Sequence, residues 1–368
     1  MAIADLDSTA LARPFQLHRL RTIMWGDDAN PDEAMGVFNP ACCRDRDGRL
    51  LFYPRVVARP NYSRIGLADV CFEDGEPVAV VRRGYALEPT EGFERNAHTA
   101  GVEDPRVVYL AALDRFVMAY TAFGPLGPRI ALAVSSDGRA WERLGPINFA
   151  YTLQYRTDFD LYKNKDALLF PDIVRDPHGR PAFAMIHRPE YTIPWEWGGT
   201  TTIQPEGIAE TRPAMWISYS PVDGAQADLR SLTVWQDHQF LAGSEQPWES
   251  SKIGGGAPPV LTPLGWLVIY HGVGTVPPAT SDRVPRPPYA AGVMILDRDD
   301  PRKVLYRSSE PILEPGTDEE LEGIVDNVVF PTAVDLREGG RLDVYYGMAD
   351  ARIGVARLQI PATLSDCT

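Results

Sequence analysis

The feature that most constrains the fold is a set of three short apolar segments that recurs five times along the 368 residues. Long periods of this kind are typical of repeat architectures. The third segment of each set has an R-I-x-x-A-like core: "SRIGLADVCFEDG" from residue 63, "PRIALAVSSDG" from 128, "PAMWISYSPVDG" from 213, "YAAGVMILDRDD" from 289 and "ARIGVARLQI" from 351. A second segment precedes each of these: "LLFYPRVV" (50), "FVMAYTAF" (116), "AFAMIHRP" (182), "GWLVIYHGV" (265) and "LDVYYGMAD" (342). A proline-containing first segment comes before that: "FNPACCR" (38), "EDPRVVYL" (103), "ALLFPDIV" (167), "GAPPVLT" (256) and "VVFPTAVD" (328).

These segments have the length of strands, and Gly, Pro, Asp or Asn residues bound them, whereas helical periodicity is hard to find. Five antiparallel units of three to four strands around an axis form a five-bladed β-propeller. The sequence therefore predicts an all-β fold of this architecture. Because the last unit has only three segments, we expect "FQLHRLRTIMW" (15–25) to supply its outer strand and close the ring, which hides strand edges. Residues 1–368 are interpreted as one domain, with 1–30 as an N-terminal extension that partly closes the last blade.

The composition excludes several classes of protein. The chain is 44% hydrophobic and 23% charged, which is typical of a folded globular protein. No apolar run approaches the roughly 20 residues of a membrane helix, and the acidic N-terminus, with Asp5 and Asp7, predicts no secretory signal. We therefore expect a cytoplasmic protein that does not bind membranes. The net charge of −14 argues against a nucleic-acid partner. The four cysteines form neither a metal spacing nor a disulfide framework: Cys42, Cys43, Cys71 and Cys367.

Polar residues recur at the same end of the predicted units. In a propeller the first strands line the central channel, so these ends converge in space. The first segments carry Asn39, Glu103-Asp104, Lys165-Asp166, Lys252 and Asp326-Asn327 there. The second segments end with Arg55, His187-Arg188, His271 and Asp350. Solvated turn residues would be scattered around the units instead, so the shared position predicts a polar funnel on the axis.

The charges of this funnel favour an anionic ligand. Its carboxylates are Asp104, Asp166 and Asp350, and its potential cations are Lys165, Arg188, Lys252 and His271. Cations brought together repel one another unless an anion lies between them, and a phosphate group would accept charge-assisted hydrogen bonds from them. Taken singly, each Lys or Arg could equally form a surface salt bridge.

Other kinds of site find less support in the sequence. The histidines and cysteines lack zinc-ligand spacing, so no metal site is predicted. The stretch "GGGAPP" (254–259) lacks the Lys-Ser/Thr pair and the helix of a phosphate-binding loop, and no G-x-S-x-G nucleophile motif occurs.

Six motifs in order, from Asn39 to Ala356, carry a resemblance to a known family: "GVEDPRV", "NKDALLFPDI", "AMIHRPEY", "KIGGGAPPV", "GWLVIYHGV" and "NVVFP…VYYGMAD". Together they resemble glycoside hydrolase family 130, which comprises inverting β-mannoside phosphorylases and related β-mannosidases. The resemblance implies a five-bladed propeller, in agreement with the repeat.

The resemblance also implies roles for individual residues. Asp104 resembles the catalytic acid of the family, which passes its proton to the leaving oxygen through the mannose 3-hydroxyl. The residues that would hold phosphate are Lys165, Arg188, Lys252, His271 and, from the fourth blade, Tyr289. The residues that would lie near the mannosyl ring are Asn39, Arg55, Glu103, Arg106, Asp166 and Asp350.

The expected reaction is inverting phosphorolysis of a β-mannosyl-linked disaccharide or oligosaccharide to α-mannose 1-phosphate and the shortened sugar. Inorganic phosphate would be the co-substrate, with no other cofactor. An inverting hydrolase is the alternative, and it needs a second carboxylate about 6.5–9.5 Å from the acid. Candidates for that base are Glu206, Glu210, Glu249 and Asp326. Because the basic residues serve phosphate, they favour phosphorolysis. A non-catalytic carbohydrate-binding propeller is a third interpretation.

Three further features remain open. The linkage and the acceptor sugar are not encoded in any motif. The insertion at 192–250 contains Trp195 and Trp197, which could stack on the acceptor sugar or anchor a long loop. The chain is compatible with a homo-oligomer, in which the N-terminal 30 residues could pack on a neighbouring subunit or fray.

Overall fold

The computed structural model of the chain describes residues 14–96, 99–195, 197–276 and 286–363. Cys367 and the first thirteen residues of the predicted N-terminal extension lie outside these ranges. Within them the chain folds into 25 strands, numbered β1 to β25 in chain order, with only short helices. The predicted all-β class is confirmed.

Twenty of the strands form five antiparallel units of four strands each. The first strands of units 1 to 5 are β2 (Gly36–Arg44), β6 (Ala100–Leu110), β11 (Lys163–Leu169), β18 (Lys252–Gly255) and β23 (Val329–Leu336). The second strands are β3 (Leu50–Ala58), β7 (Arg115–Gly124), β13 (Pro181–Glu190), β20 (Gly265–Val273) and β24 (Arg341–Met348). The third strands are β4 (Tyr62–Glu73), β8 (Gly127–Ser135), β16 (Met215–Pro221), β21 (Tyr289–Leu296) and β25 (Arg352–Gln359). The fourth strands are β5 (Glu76–Leu87), β9 (Glu142–Pro146), β17 (Val234–Ala242), β22 (Val304–Arg307) and β1 (His18–Trp25).

The remaining elements are short. The additional strands are β10 (Asn148–Phe149), β12 (Val174–Arg175), β14 (Thr192–Pro194), β15 (Thr200–Thr202) and β19 (Val260–Thr262). The α-helices are α1 (Val222–Ala227) and α2 (Asp318–Leu321), and the 3-10 helices are Pro31–Glu33, Gly92–Glu94, Phe159–Leu161, Leu229–Thr233, Pro247–Glu249 and Glu338–Gly340. None of the helices in the described ranges has the length and apolar character needed to cross a membrane.

The fourth strand of unit 5 comes from the opposite end of the chain. Strand β1 pairs antiparallel with β25, so that His18 lies opposite Arg357 and Trp25 opposite Arg352. The N-terminal stretch therefore supplies the outer strand that the last repeat lacks, as the sequence analysis predicts.

Five apolar clusters hold the units together, and four of them lie between units that follow one another along the chain. Tyr53 and Met118 belong to the cluster of units 1 and 2, and Leu132 and Met185 to that of units 2 and 3. The clusters of units 3 with 4 and of units 4 with 5 are built in the same way. A fifth cluster joins Phe52 of unit 1 to strands of unit 5. Each unit is therefore buried on both faces, and the first unit packs against the last.

Three of the first strands carry an Asn or Asp in the left-handed backbone region. Asn39, Asp104 and Asp166 have φ of 44°, 45° and 60°. In each case the strand pairing shifts register at this point: between Phe38 and Ala41, Glu103 and Arg106, and Lys165 and Leu168. Asn and Asp tolerate this conformation better than other non-glycine residues. A bulge of this kind redirects a side chain. The first strands of these three units therefore have the same kind of bulge at equivalent positions.

Tight turns close the other ends of these hairpins. The carboxylate of Asp45 accepts hydrogen bonds from the backbone N–H groups of Asp47 and Arg49, in the turn between β2 and β3. Asp176 accepts in the same way from His178 and Arg180 before β13. These Asp-centred turns lie at the end of the hairpins away from the bulges.

Four of the five units share a buried glutamate that the sequence analysis missed. It lies in the short helix before the first strand and pairs with an arginine of the fourth strand. The pairs are Glu33–Arg82, Glu94–Arg143, Glu249–Arg307 and Glu320–Arg19. Unit 3 has a neutral chain of hydrogen bonds instead: His187 contacts the Ser218 hydroxyl at 2.7 Å, and Ser218 contacts His238 at 2.8 Å.

Candidate active site

Ten of the twelve predicted site residues line one cavity of about 250 Å³, where the bulges of the first strands and the ends of the second strands meet. The full lining is Asn39, Arg55, Asp104, Lys165, Asp166, Arg188, Lys252, His271, Arg286, Tyr289, Val325, Val328, Phe330 and Asp350. The converging positions are equivalent in register. Arg55, Arg188 and His271 of the second strands lie opposite Phe38, Lys165 and Gly254 of the first strands.

The Asp104 carboxylate faces cationic and neutral donors from two other units. Its Oδ1 accepts from Asn39 Nδ2 at 2.9 Å and from Arg55 Nη1 at 3.1 Å, and its Oδ2 lies 3.7 Å from Lys165 Nζ. Burial opposes its ionisation, but the charges of Arg55, Lys165 and Arg106 lower the pKa of Asp104 to about 2. This carboxylate is therefore ionised at neutral pH.

Asp166 occupies the same position in unit 3 and is held more tightly. Arg188 Nε donates to its Oδ2 at 2.6 Å, and His271 Nε2 lies 3.8 Å from the same atom. Both side chains are almost fully buried. Burial opposes ionisation here too, but the charges of Arg188 and Lys165 and the hydrogen bond from Arg188 lower the pKa of Asp166 below its usual range.

Gly254 makes this close arrangement sterically possible. A Cβ atom at residue 254 would lie 2.5 Å from His271 Cε1, 2.6 Å from Asp166 Oδ2 and 2.8 Å from Arg188 Nε. The first glycine of "GGG" therefore leaves room for three side chains of the site, which is a steric role and not that of a phosphate-binding loop.

His271 corrects one expectation, because it is not a cation. Burial lowers the pKa of His271 to about 3, and the nearby charges of Arg188 and Lys252 act in the same direction. Its Nδ1 lies 3.3 Å from the carbonyl oxygen of Gly255, which can only accept, so Nδ1 carries the hydrogen. The Nε2 atom of the neutral ring consequently carries no hydrogen and can accept one.

Lys252 and Tyr289 form a further part of the wall. The Lys252 ammonium lies 5.0 Å from the centre of the Tyr289 ring, within cation–π distance. The same ring stacks on His271, with centroids 5.9 Å apart and an interplanar angle of 14°. The structure therefore brings together three residues that the family resemblance implies for phosphate binding.

Glu103 and Arg106 do not line the cavity but lie directly behind the residues that do. Glu103 accepts from Arg55 Nη2 at 2.9 Å and so fixes the arginine that contacts Asp104. Arg106 is almost fully buried. Its guanidinium donates to the backbone carbonyl oxygens of Asp104 (2.9 Å), Pro105 (3.0 Å) and Gly256. Both residues hold the site in shape and do not line the cavity.

His187, Asp326 and Asn327 were expected in the funnel, but they are not among the residues that line the cavity. His187 is buried in the hydrogen-bond chain of unit 3, and its Nδ1 faces the Asn164 side chain at 3.0 Å. Adjacent residues of a strand point to opposite faces. Since Arg188 faces the cavity, His187 faces away from it.

The four candidate hydrolytic bases also lie outside the described cavity lining. Glu249 is buried against Arg307, Glu210 pairs with Arg212, and the exposed Glu206 pairs with Arg156. The fourth, Asp326, accepts from the backbone N–H of Gly323 at 3.1 Å. Trp195 and Trp197 are 51% and 79% exposed and pack edge to face with each other, outside the cavity lining.

Sequence reasoning missed Arg286, Val325, Val328 and Phe330, which also line the cavity. Arg286 lies in the proline-rich stretch that ends at Tyr289, and its proximity to a predicted site residue was the one signal available. Within the described ranges, no group of three or more His, Cys, Asp or Glu side chains is arranged to hold a metal ion.

A family profile described as beta-1,4-mannooligosaccharide phosphorylase matches residues 15–366, nearly the whole chain. The chain belongs to glycoside hydrolase family 130. The 1,2-beta-oligomannan phosphorylase of Thermoanaerobacter sp. (strain X514) is 33% identical over 296 residues, which cover 76% of this family 130 chain and 79% of the relative. The beta-1,2-mannobiose phosphorylase of Listeria innocua serovar 6a is 30% identical over 267 residues, covering 72% and 60%.

A solved structure supports the same fold for this family 130 member. The beta-1,2-mannobiose phosphorylase from Listeria innocua, in complex with beta-1,2-mannobiose, superposes with a TM-score of 0.64 at 24% identity. The superposition covers 91% of this chain and 96% of the other. The predictions of this family and of an enzyme of its phosphorylase type are confirmed by the matches.

Proposed function

We propose that the protein is a β-mannoside phosphorylase that converts a β-mannosyl-linked disaccharide or oligosaccharide and inorganic phosphate to α-mannose 1-phosphate and the shortened sugar. The charge of the cavity carries the proposal. Five cationic side chains line it, and three carboxylates oppose them: Arg55, Lys165, Arg188, Lys252 and Arg286 against Asp104, Asp166 and Asp350. Among these lining side chains the cations outnumber the carboxylates by two, which favours an anionic ligand such as hydrogen phosphate over water.

The residues divide into two groups around this anion. Lys165, Arg188 and Lys252 would supply charged donors to phosphate, with Tyr289 as a neutral donor and His271 Nε2 as an acceptor for the phosphate hydrogen. Asn39, Arg55, Asp166 and Asp350 would contact the mannosyl ring, with Glu103 and Arg106 supporting them from behind. No cofactor other than phosphate enters this proposal.

Asp104 would be the general acid, and phosphate binding would prepare it for that role. The cations that keep Asp104 ionised would be neutralised by the bound dianion, which would raise the proton affinity of the carboxylate. A phosphate oxygen then attacks C1 of the mannosyl group from the face opposite the leaving oxygen. The C1–O bond breaks, the leaving oxygen takes the proton of Asp104 through the mannose 3-hydroxyl, and the hydrogen of the phosphate group restores the acid.

The proposed architecture is a single domain, 1–368, built as a five-bladed β-propeller that β1 closes. Two observations support it. The five apolar clusters join the units in a cycle, including unit 5 with unit 1. Strand β1 completes unit 5 by pairing with β25.

The names of the relatives suggest which substrates to test first. One relative is a 1,2-beta-oligomannan phosphorylase, and the matching profile carries a β-1,4 description. We propose a panel of β-1,2-, β-1,3- and β-1,4-mannobiose and mannosyl-glucose, incubated with and without phosphate. Mannose 1-phosphate that forms only with phosphate supports the proposal and identifies the linkage. Free mannose at equal rates in both arms would instead establish the inverting β-mannosidase.

The role of Asp104 has its own test. We expect Asp104→Asn to lose at least about a thousandfold in kcat, because an amide cannot protonate the leaving oxygen. Circular dichroism and the unfolding transition should remain close to wild type. The control is Asp47→Asn, at an exposed turn residue, which should keep full activity. A folded Asp104→Asn variant that retains turnover contradicts the assignment.

A further inference from the structure

Arg286 is a cavity-lining cation that neither the motifs nor the proposed set of phosphate ligands accounts for. The other four cations of the wall have partners within it. Arg55 and Lys165 face Asp104, Arg188 binds Asp166, and Lys252 lies over Tyr289. For Arg286, by contrast, the described part of the chain offers its guanidinium neither a hydrogen bond nor an ion pair. Its donors are thus available to a ligand.

The backbone around Arg286 is held in place from two sides. The Asn327 side chain donates to the carbonyl oxygen of Arg286 at 3.4 Å, and Tyr289 N donates to the carbonyl oxygen of Asn327 at 2.9 Å. On the other side, Gly274 N donates to the carbonyl oxygen of Pro288 at 3.1 Å. The segment 286–289 is therefore tied to the end of β20 and to the turn before β23, and the position of Arg286 at the cavity is fixed by main-chain contacts.

The neighbours of Arg286 belong to the anion-binding side of the cavity. Tyr289 follows it by three residues, and three extended residues span at most about 10 Å. Tyr289 in turn contacts both Lys252 and His271. Val325 and Val328 complete this part of the lining and offer no charge to Arg286. Unlike the buried Arg188, Arg286 is exposed, which places it at the opening of the cavity.

We infer that Arg286 is an additional phosphate-binding residue at the rim of the cavity, which contacts the phosphoryl group of inorganic phosphate and of the sugar 1-phosphate product. The inference rests on the proposed function and adds a rim contact to its buried ligands. A guanidinium presents two parallel donors to a phosphoryl group. Because it is exposed, it also attracts the dianion before the anion reaches the buried ligands, which favours entry at low ionic strength.

The test is steady-state kinetics of Arg286→Ala and Arg286→Lys in both directions of the reaction. In Arg286→Ala, the KM for phosphate and the KM for α-mannose 1-phosphate should each rise about tenfold, the usual cost of one charged contact. The KM for the mannoside should stay within about twofold of wild type. In Arg286→Lys, the two KM values should lie between those of wild type and Arg286→Ala, because lysine keeps the charge but lacks the paired donors. The matched control is Arg298→Ala, an exposed arginine outside the described cavity lining, which should leave all three constants unchanged.

Two results would overturn the inference. One is an unchanged KM for phosphate in Arg286→Ala. The other is a rise in the mannoside KM alone, which would assign Arg286 to the acceptor sugar. A separate measurement distinguishes failure of the inference from failure of the proposed function. If the wild type hydrolyses mannosides without phosphate, the proposed function fails, and thermal shift with inorganic phosphate then tests Arg286. The quantity to compare is the phosphate concentration that gives half of the maximal rise in Tm. If this concentration is higher for Arg286→Ala than for wild type, the inference stands, and if the two concentrations are equal, the inference is rejected.

Discussion

At the scale of single residues, the three carboxylates of the cavity differ because their neighbours differ. Asp104 and Asp166 each have a cationic donor within hydrogen-bonding distance and are ionised. Asp350 has no such close contact among the described residues. Burial raises the pKa of Asp350 to about 6, and the charges of Asp104 and Glu103 add to the rise, although Arg55 and Lys165 oppose it. Asp350 is thus the carboxyl group of the site that titrates nearest to neutrality.

This difference predicts how stability depends on pH. The pKa of Asp350 is higher in the folded protein than the ordinary value of 3.8. The contribution of the Asp350 carboxyl group to the free energy of unfolding is therefore complete below about pH 4 and is lost as pH rises through 6. We expect the free energy of unfolding of wild type, relative to Asp350→Asn, to fall by about 2 kcal/mol between pH 4.5 and pH 7.

The measurement is urea denaturation of both proteins at several pH values. The buried His187 and His238 have lowered pKa values, so their contribution makes the free energy of unfolding rise with pH in the same range. Because both proteins contain these histidines, the difference between the two free energies isolates the effect of Asp350. An Asp47→Asn control should show the wild-type slope. Parallel curves for wild type and Asp350→Asn would contradict the prediction.

Single residues also show where sequence reasoning stops. Asn39, Arg55 and His271 could be placed in the site because each stands at the same end of a repeated strand. His187 could not be separated from Arg188, since which of two neighbours faces the cavity depends on the strand register. The charge of His271 depends on burial, which a sequence pattern does not give. Arg286 lies in a loop without repeat, so no pattern fixes its position.

At the scale of elements, the short helices before the first strands fasten the fourth strands to their units. Helix α2 shows the arrangement in unit 5. The buried Glu320 accepts from the backbone N–H groups of Gly316 and Thr317 at 2.8 and 3.1 Å, from Arg19 of β1 at 2.8 Å and from the Tyr346 hydroxyl at 3.0 Å. One carboxylate thereby joins a helix start, the second strand and the N-terminal strand.

We expect Glu320→Gln to lower the free energy of unfolding by about 2–4 kcal/mol, because it removes a buried charge with four partners. The matched control is Asp114→Asn, whose ion pair with Arg46 is 61% exposed on the carboxylate side and should cost less than about 0.5 kcal/mol. Urea denaturation monitored by tryptophan fluorescence compares them. Equal losses in the two variants would show that the buried glutamate has no special role.

At the scale of the whole molecule, β1 links the two ends of the chain. Phe15 and Leu17 belong to the cluster of units 4 and 5, and Ile23 and Met24 belong to the cluster of units 5 and 1. The repeat predicted this strand because the last unit lacked one. The other fourth strands were not identified, since strands such as β5 are largely exposed and carry no strong apolar alternation.

Removal of β1 should therefore affect the entire molecule. We expect deletion of residues 1–26 to lower the Tm by more than about 10 °C, because four buried apolar side chains are lost. The freed edge of β25 should also promote aggregation. Deletion of residues 1–13, which keeps all of these contacts, is the control. Differential scanning calorimetry and light scattering measure both effects, and equal Tm values for the two deletions would contradict the prediction.

The division between bulges at one end of the hairpins and Asp-centred turns at the other has a practical consequence. The cavity side chains all project from the bulge end, whereas the turns at Asp45 and Asp176 lie away from it. A tag, a surface tether or a fused partner inserted at either turn would leave the cavity open to the solution. The protein is consequently suited to oriented immobilisation, with its cavity facing the solution.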